Sequence, residues 1–250
     1  MVSELKSQKQ TEVIYPESDG KPMADNTKQF RWIVVIKENL EWLFGGDRDV
    51  FVAGDLFWYP VEGNNRIVNA PDAMVIFGRP KGDRSSYKQW SEEGIAPQVV
   101  FEIRSPANTR TEMDRKLLFY DRYGVEEYYI YDPDRQSLSG WLRVEEGLDA
   151  IAEINGWVSP RLGIRFEISG EELQIYRPDG IQFFSYVEVC QLLEQEKQRT
   201  EQEKQRAEQE KQRAEQEKQR AEQAEQRLRE TELMLQQYRE RFGDLPSDEG

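Results

Sequence analysis

The sequence predicts a mixed α/β (α+β) fold, in which helices flank a sheet core and a long charged helix follows. Two observations support this. Between residues 27 and 187, helical periodicity alternates with short apolar runs typical of strands, in the order helix, three strands, helix, strand. From residue 194 to residue 228, a seven-residue repeat rich in Glu, Gln, Lys and Arg replaces this alternation. The element order differs from that of a regular doubly wound sheet.

The first half of the α/β part is predicted to be one helix and two strands. Apolar residues recur at helical spacing over residues 26–44, and Gly45 and Gly46 end this helix. DVFVAGDLFWYP (49–60) has the composition of one strand. RIVNAPDAMVIFG (66–78) has that of a second strand, which Pro71 interrupts.

The second half is predicted to contain a strand, a helix and further strands. PQVVFEIRS (97–105) is the third strand, and residues 108–124 form a helix. Thr109 and Glu112 have the spacing of a capping box, and Gly124 ends the helix. The remaining predicted strands lie at residues 125–134, 137–144, 162–168 and 172–180.

The charged repeat predicts a helix with little apolar surface. Only Ala207, Ala214, Ala221 and Leu228 recur, one in each heptad, whereas a stable two-stranded coiled coil uses two apolar positions. We therefore expect a lone charged helix or a weak coiled coil, with a homodimer or another protein as its partner. The domains are then an extended segment (1–26), the α/β domain (27–187), the helix (188–242) and a disordered acidic tail (243–250).

Composition excludes several kinds of chemistry. The chain has no histidine and one cysteine, Cys190, so histidine-based triads, disulfides within the chain and Cys/His zinc sites are excluded. The N-terminus lacks the apolar core of a signal peptide, and no apolar run approaches the ~20 residues that span a bilayer. We expect a cytoplasmic protein without a membrane partner. The net charge of −14 disfavours nonspecific binding of nucleic acid.

Acidic residues on two predicted strands are the candidate functional residues. Glu102 lies inside an apolar run, and Asp72 follows Pro71 thirty residues earlier. If their strands are neighbours, the two carboxylates form an all-oxygen site suited to Mg²⁺ or Mn²⁺. Arg104 points to the same side of its strand as Glu102, and Lys116 flanks the apolar face of the next helix.

Each of these residues also has a structural interpretation. Asp72 could form a turn, Glu102 and Arg104 could be an exposed ion pair, and Lys116 could be solvated. Tyr120 and Tyr128 are interpreted as core residues.

Three segments, NAPDAMVIFGRPKG, FVAGDLFWYPVEG and residues 97–134, resemble the bacterial Uma-two family of restriction endonucleases, in the PD-(D/E)XK nuclease superfamily. The resemblance covers about residues 12–187. It implies a restriction-endonuclease-like core and divalent-metal hydrolysis of phosphodiesters. Asp72 matches the PD aspartate and Glu102 the strand acid. Asp55 matches a recurrent upstream acid, which is either a further metal ligand or a strand-end hydrogen-bonding group.

The chain departs from the superfamily motif at one position. The motif has lysine two residues after the strand acid, where this chain has Arg104. The Uma-two pattern has a lysine in the following helix, which Lys116 matches, so Lys116 is the predicted catalytic cation. Arg104 is then a phosphate contact or the ion-pair partner of an acid, and Arg110 and Arg115 are further predicted substrate contacts.

The expected function is that of a Mg²⁺- or Mn²⁺-dependent endonuclease acting on nucleic acid, with DNA the favoured substrate. Asp72, Glu102 and Lys116 are its predicted catalytic residues. The alternative is a catalytically inactive scaffold that binds partners through its globular domain and charged helix. In that case Glu102 is the ion-pair partner of Arg104.

Overall fold

The structure, a computed structural model, describes residues 13–18, 20, 22–145, 147–168 and 172–243. The helices and strands are, in chain order, α1 (Thr27–Leu43), β1 (Val50–Ala53), β2 (Trp58–Tyr59), β3 (Ala73–Phe77), β4 (Tyr87–Lys88), β5 (Val99–Ile103), α2 (Arg110–Arg122), β6 (Glu127–Asp132), β7 (Ser137–Val144), β8 (Gly147–Ala150), β9 (Arg165–Ile168), β10 (Leu173–Tyr176) and α3 (Tyr186–Phe242). A 3₁₀ turn follows β4 at Gln89–Ser91.

Six strands form the central sheet, in the order β1-β3-β5-β6-β7-β8. Only the central β5–β6 pair is parallel, and the other neighbours are antiparallel. β9 and β10 form a separate hairpin, and β2 and β4 form a two-residue parallel pair. The mixed α/β fold predicted from the sequence is confirmed.

Alternation along the strands divides the core into two layers. Val75 and Phe101 point toward α1, where they pack with Trp32, Ile36 and Leu40. Met74, Val100 and Tyr128 point the other way, toward Tyr120 of α2. Successive strand residues face opposite sides of a sheet. A strand that is buried on both sides therefore needs apolar residues on both of its faces. The apolar residues of β3 and β5 meet this need, with Glu102 as the exception in β5.

One predicted strand, residues 49–60, is divided in the structure. β1 pairs with β3 in the central sheet, whereas β2 pairs with β4 outside it. Between them, Asp55 has a φ of 49°, in the left-handed region that turns the chain out of the sheet. The prediction of one continuous strand is therefore wrong. The short strands β4 and β8 were not predicted.

The ends of the first two helices follow local sequence signals. Asn26 caps α1 by accepting a hydrogen bond from the backbone N–H of Gln29. The capping box of α2, formed by Thr109 and Glu112, is confirmed with both of its hydrogen bonds. These caps fix where the helices begin relative to the sheet, and hence where their first turns place side chains.

The chain divides into two compact units, residues 1–187 and 188–250. In the second unit α3 is a single helix to residue 242, and Gly243 follows it. Residues 244–250 of the predicted acidic tail, and residues 1–12 of the predicted N-terminal segment, lie outside the described residues. Across the described ranges, no helix combines the length and apolarity needed to cross a membrane.

Candidate active site

Asp72 and Glu102 lie side by side on one face of the central sheet. The antiparallel register of β3 and β5 pairs Ala73 with Phe101. Asp72 is the residue before Ala73, and Glu102 the residue after Phe101, so the register places them opposite each other. Both side chains point toward α2, on the same face of the sheet as Met74 and Val100, because residues two apart on a strand face the same side. Both residues are buried, with 8% of Asp72 and 2% of Glu102 exposed.

Two donors on α2 hold the Glu102 carboxylate. Lys116 Nζ donates to Oε2 at 2.6 Å, and the Tyr120 hydroxyl donates to Oε1 at 2.5 Å. Because Lys116 and Tyr120 are four residues apart on one helix, both reach the same acceptor. Burial and the Glu102 carboxylate raise the pKa of Tyr120 well above its usual range, so its hydroxyl stays protonated.

Asp72 is anchored through one oxygen and lines an open cleft. Its Oδ2 accepts a hydrogen bond from the backbone N–H of Ile103 at 2.5 Å. Burial and the neighbouring Glu102 carboxylate raise its pKa well above the usual range, although Lys116 and the Ile103 N–H act in the opposite direction. Two carboxylates at such a site repel unless a proton or cation lies between them.

Lys116 supplies the positive charge of this site. Burial alone lowers the pKa of Lys116, but the Glu102 and Asp72 carboxylates outweigh that effect, and the net pKa is raised. Lys116 therefore stays charged at neutral pH. It also lines the cleft, where it is the one cation among the described lining residues.

The cleft has a volume of about 550 Å³. Asp55 and Asp72 line it from the sheet side, and Glu17 and Asp25 line it from the segment before α1. Gln29 of α1 joins these two walls, since its side-chain amide accepts from the backbone N–H of Asp25 and donates to the carbonyl of Ile103. The cleft is consequently acidic around a single lysine.

Arg104 does not contact Glu102. Its guanidinium pairs with Asp132 across the β5–β6 boundary at 3.4 Å. The interpretation of Glu102 and Arg104 as an exposed ion pair is therefore wrong, because Glu102 is buried and its cation is Lys116. The scaffold alternative implied this ion pair between Glu102 and Arg104, and the structure does not show it. The interpretation of Arg104 as the partner of an acid is met by Asp132.

The other predicted substrate contacts lie on the exposed face of α2. Arg110 is almost fully exposed and lies 3.9 Å from Asp114, and Arg115 is also exposed. Arg104, Arg110 and Arg115 are all absent from the described lining of the cleft. Their role in substrate binding remains a prediction.

The donor set at the site fits a hard divalent cation held by few protein ligands. Asp72 and Glu102 offer only carboxylate oxygens, and Mg²⁺ is commonly held by one or two carboxylates with water completing its shell. Asp55 lines the cleft, but the described residues include no cluster of three or more acidic, Cys or His side chains that could hold a metal. Asp55 as a third ligand remains a prediction.

Tyr120 is the functional candidate that the sequence interpretation missed. As predicted, the Tyr120 ring is in the core, where it lies parallel to the ring of Trp58. Its hydroxyl, however, is part of the site. The signal was available, because a hydroxyl one helical turn beyond Lys116 can reach the acceptor that Lys116 reaches. The Tyr128 ring packs on that of Tyr120, yet its buried hydroxyl has no hydrogen-bond partner among the described residues.

The fold and site define the class: a mixed α/β protein with two acids on neighbouring strands and a lysine on the following helix. Comparison with known proteins gives the family. The Uma2 family model, described as "Putative restriction endonuclease", matches residues 21–171, and the chain belongs to this family. No curated protein matches the chain.

The solved structures similar to this chain include "a putative nuclease belonging to DUF820" from Anabaena variabilis ATCC 29413. It is 18% identical, with a TM-score of 0.41, and the match covers 58% of this chain and 79% of that chain.

Proposed function

We propose that this protein is a Mg²⁺- or Mn²⁺-dependent endonuclease that hydrolyses phosphodiester bonds of DNA. The observation that supports this most directly is the position of Lys116 at the paired carboxylates Asp72 and Glu102. Membership of a family described as a restriction endonuclease is consistent with it. The proposal assigns to this site the metal, the substrate and the chemistry.

Asp72 and Glu102 would hold the cation. When bound there, a divalent ion polarises a phosphoryl oxygen and lowers the pKa of water. Asp72 lines the cleft, and its Oδ2 accepts from the Ile103 N–H, which leaves Oδ1 as the oxygen that would bind the cation. Tyr120 and Lys116 hold the two oxygens of Glu102, so a cation bound at this carboxylate would share an oxygen with one of these donors.

Lys116 would act on the substrate. Its ammonium group lines the cleft and is partly exposed, so a phosphate oxygen can approach it while it remains close to Glu102. The negative charge that develops on the phosphoryl oxygens during hydrolysis would be stabilised by this fixed positive charge. Arg104, Arg110 and Arg115 would contribute contacts to phosphates outside the cleft.

The decisive experiment is a cleavage assay on supercoiled plasmid, single-stranded DNA and RNA, with Mg²⁺, Mn²⁺ or a chelator. The proposal expects metal-dependent cleavage of DNA by the wild type. Asp72→Asn, Glu102→Gln and Lys116→Met should each lower the rate at least about a hundredfold. Asp114→Asn, on the exposed face of α2, is the matched control and should cleave like the wild type.

The same set of variants distinguishes failure from misassignment. Cleavage of RNA alone would correct the substrate while keeping the site. Cleavage that survives in Asp72→Asn and Glu102→Gln would place the chemistry elsewhere. A folded wild type that cleaves nothing, and whose melting temperature is unchanged by Mg²⁺ or Mn²⁺, would favour the inactive scaffold.

A further inference from the structure

A row of exposed side chains runs along α3 at intervals of seven residues. We call this row the α3 seam. All of its members are exposed, and a spacing of seven keeps them on one side of a helix. The α3 seam consists of Leu193, Thr200, Ala207, Ala214, Ala221, Leu228 and Leu235.

Toward its C-terminal end, the α3 seam gains a second row of uncharged residues. Ala224, Thr231 and Tyr238 each lie three residues after a seam position. The pattern from residue 221 to residue 238 therefore has two seam positions in each heptad, as two-stranded coiled coils require. In the preceding heptads the second row is glutamate, at Glu203, Glu210 and Glu217 among others.

We propose that α3 is a docking surface for α3 of a second copy of this chain, in a parallel, in-register two-stranded coiled coil stabilised mainly by residues 220–239. The large seam side chains support this proposal, since Leu228 and Leu235 are 60% and 44% exposed. Leucine at such a position is buried by a partner helix that presents the same position. In a parallel, in-register homodimer, Leu228 packs against Leu228 of the second copy, and Leu235 packs against Leu235 of the second copy.

The charges beside Ala221 and Leu228 favour the parallel orientation, whereas the equivalent positions of the central heptads are arginine and lysine and favour neither orientation. Arg220 and Arg227 each precede a seam residue by one position, and Glu225 and Glu232 follow five residues after them. In a parallel coiled coil these positions face each other between helices, so Arg220 meets the partner's Glu225 and Arg227 meets the partner's Glu232. An antiparallel pair would place arginine beside arginine and glutamate beside glutamate.

The central heptads contribute less to the dimer. Their second row is glutamate, which is costly at a core position, although lysine follows directly at Lys204, Lys211 and Lys218. In a parallel pair each such glutamate lies near a lysine of the partner, which offsets part of the cost. Because alanine fills the seam here, the helices bury little apolar area in these heptads. The affinity should consequently depend on the last three heptads.

Sedimentation equilibrium of the full-length chain tests the dimer, with a seam variant and a control matched in residue type. Leu228→Glu combined with Leu235→Glu should raise the dimer dissociation constant by about a hundredfold. Leu233→Glu, which is as exposed but lies on the opposite side of the helix, should leave it unchanged. A wild type that stays monomeric at about 100 µM overturns the proposal, as does an equal effect of Leu233→Glu.

Charge reversal and cross-linking test the orientation. Arg220→Glu with Arg227→Glu should weaken the dimer by about tenfold, and adding Glu225→Arg with Glu232→Arg should restore it. In a Cys190→Ser background, Ala207→Cys, Ala214→Cys and Ala221→Cys should each form a disulfide between chains. Gln226→Cys, facing away from the seam, should not. An antiparallel dimer would cross-link at no more than one of the three positions, and that result would refute the parallel assignment.

Discussion

The hydroxyl of Tyr120 donates a hydrogen bond to Glu102 Oε1 across 2.5 Å in the interior of the protein. Lys116 occupies the other oxygen of the same carboxylate. The buried acid thus has a donor on each oxygen, and both donors come from one face of α2. A carboxylate buried to this extent is stabilised by such donors, and removal of either one leaves part of its charge without compensation.

Tyr120→Phe and Tyr128→Phe form a matched pair that tests this arrangement. Both tyrosines are fully buried and their rings touch, but only the Tyr120 hydroxyl has a hydrogen-bond partner among the described residues. Tyr120→Phe should lower the free energy of unfolding by about 1–3 kcal/mol, because Glu102 loses a donor. Tyr128→Phe should be neutral or stabilising, because it removes an unsatisfied polar group. Urea unfolding of both variants measures the difference.

A cleavage assay extends this pair to function. Tyr120→Phe should cleave more slowly and need more Mg²⁺ for half-maximal rate, since Glu102 is less well oriented. Tyr128→Phe should match the wild type. Equal losses of stability in the two variants would show that the Tyr120 hydrogen bond contributes nothing specific.

Strand and helix patterns indicated which residues could meet at this site, and the resemblance to the Uma-two family suggested their roles. Glu102 was noticed because a buried strand rarely carries an acid, Asp72 because it lies on a neighbouring predicted strand, and Lys116 because it flanks the apolar face of α2. Tyr120 was missed because a ring on that face is expected in the core, and hydropathy does not show which way its hydroxyl points. The same local rules predicted the capping box of α2, which depends on residues three apart.

The failures involve one contact between residues distant in sequence and one local backbone conformation. Arg104 pairs with Asp132 only because β5 and β6 are parallel neighbours, a pairing that no local pattern reveals. The strand predicted at residues 49–60 is broken by the backbone conformation of Asp55. Aspartate enters the left-handed region more easily than most residues, but the sequence around an aspartate does not show whether it does so.

The raised pKa of Asp72 predicts a pH dependence of stability in the metal-free protein. Burial and Glu102 favour the protonated form in the folded state. Protonated Asp72 therefore stabilises the folded protein. This stabilisation is fully present below the ordinary aspartate pKa of about 4, and it is lost as the pH rises through the raised pKa of Asp72 in the folded state. Asp72→Asn removes this loss while keeping an acceptor for the Ile103 N–H.

Urea unfolding in chelator, from pH 4 to pH 8, measures this effect. Asp72→Asn should become more stable than the wild type as the pH rises, and the two should converge toward pH 4. Asp114→Asn, at an exposed position on α2, should follow the wild type throughout. Constant separation of the Asp72→Asn and wild-type curves would mean that Asp72 does not titrate in this window.

The three arginines are expected to behave in two ways. Arg110→Gln and Arg115→Gln should leave stability within about 0.5 kcal/mol, because both side chains are exposed. Each should weaken DNA binding regardless of sequence and lower the salt slope by roughly one. Arg104→Met should also cost about 1 kcal/mol of stability, because Asp132 loses one of its two arginine partners and keeps Arg135. Fluorescence anisotropy at several salt concentrations measures DNA binding, and urea unfolding measures stability. If the salt slope is unchanged in all three variants, these arginines do not contact the substrate.

Lys116 should separate metal binding from catalysis, because it both holds Glu102 and lines the cleft. Without metal, Lys116→Met should lose about 3 kcal/mol of stability, since it leaves a buried carboxylate without its cation. Mg²⁺ should then stabilise this variant more than the wild type, because Glu102 Oε2 is no longer shared with an ammonium group. Cleavage should nevertheless be lost, because the charge that stabilises the transition state has gone.

Lys81→Met is the control for this prediction, since Lys81 pairs with Glu41 in a more exposed ion pair outside the described lining of the cleft. It should cost less than about 1 kcal/mol and leave the response to Mg²⁺ unchanged. Thermal melts with and without Mg²⁺ compare the two variants and the wild type. If Lys116→Met melts like the wild type in chelator, the ion pair with Glu102 does not stabilise the fold. If Mg²⁺ stabilises the wild type but not Lys116→Met, the lysine is needed for metal binding, and its assignment as a purely catalytic charge is wrong.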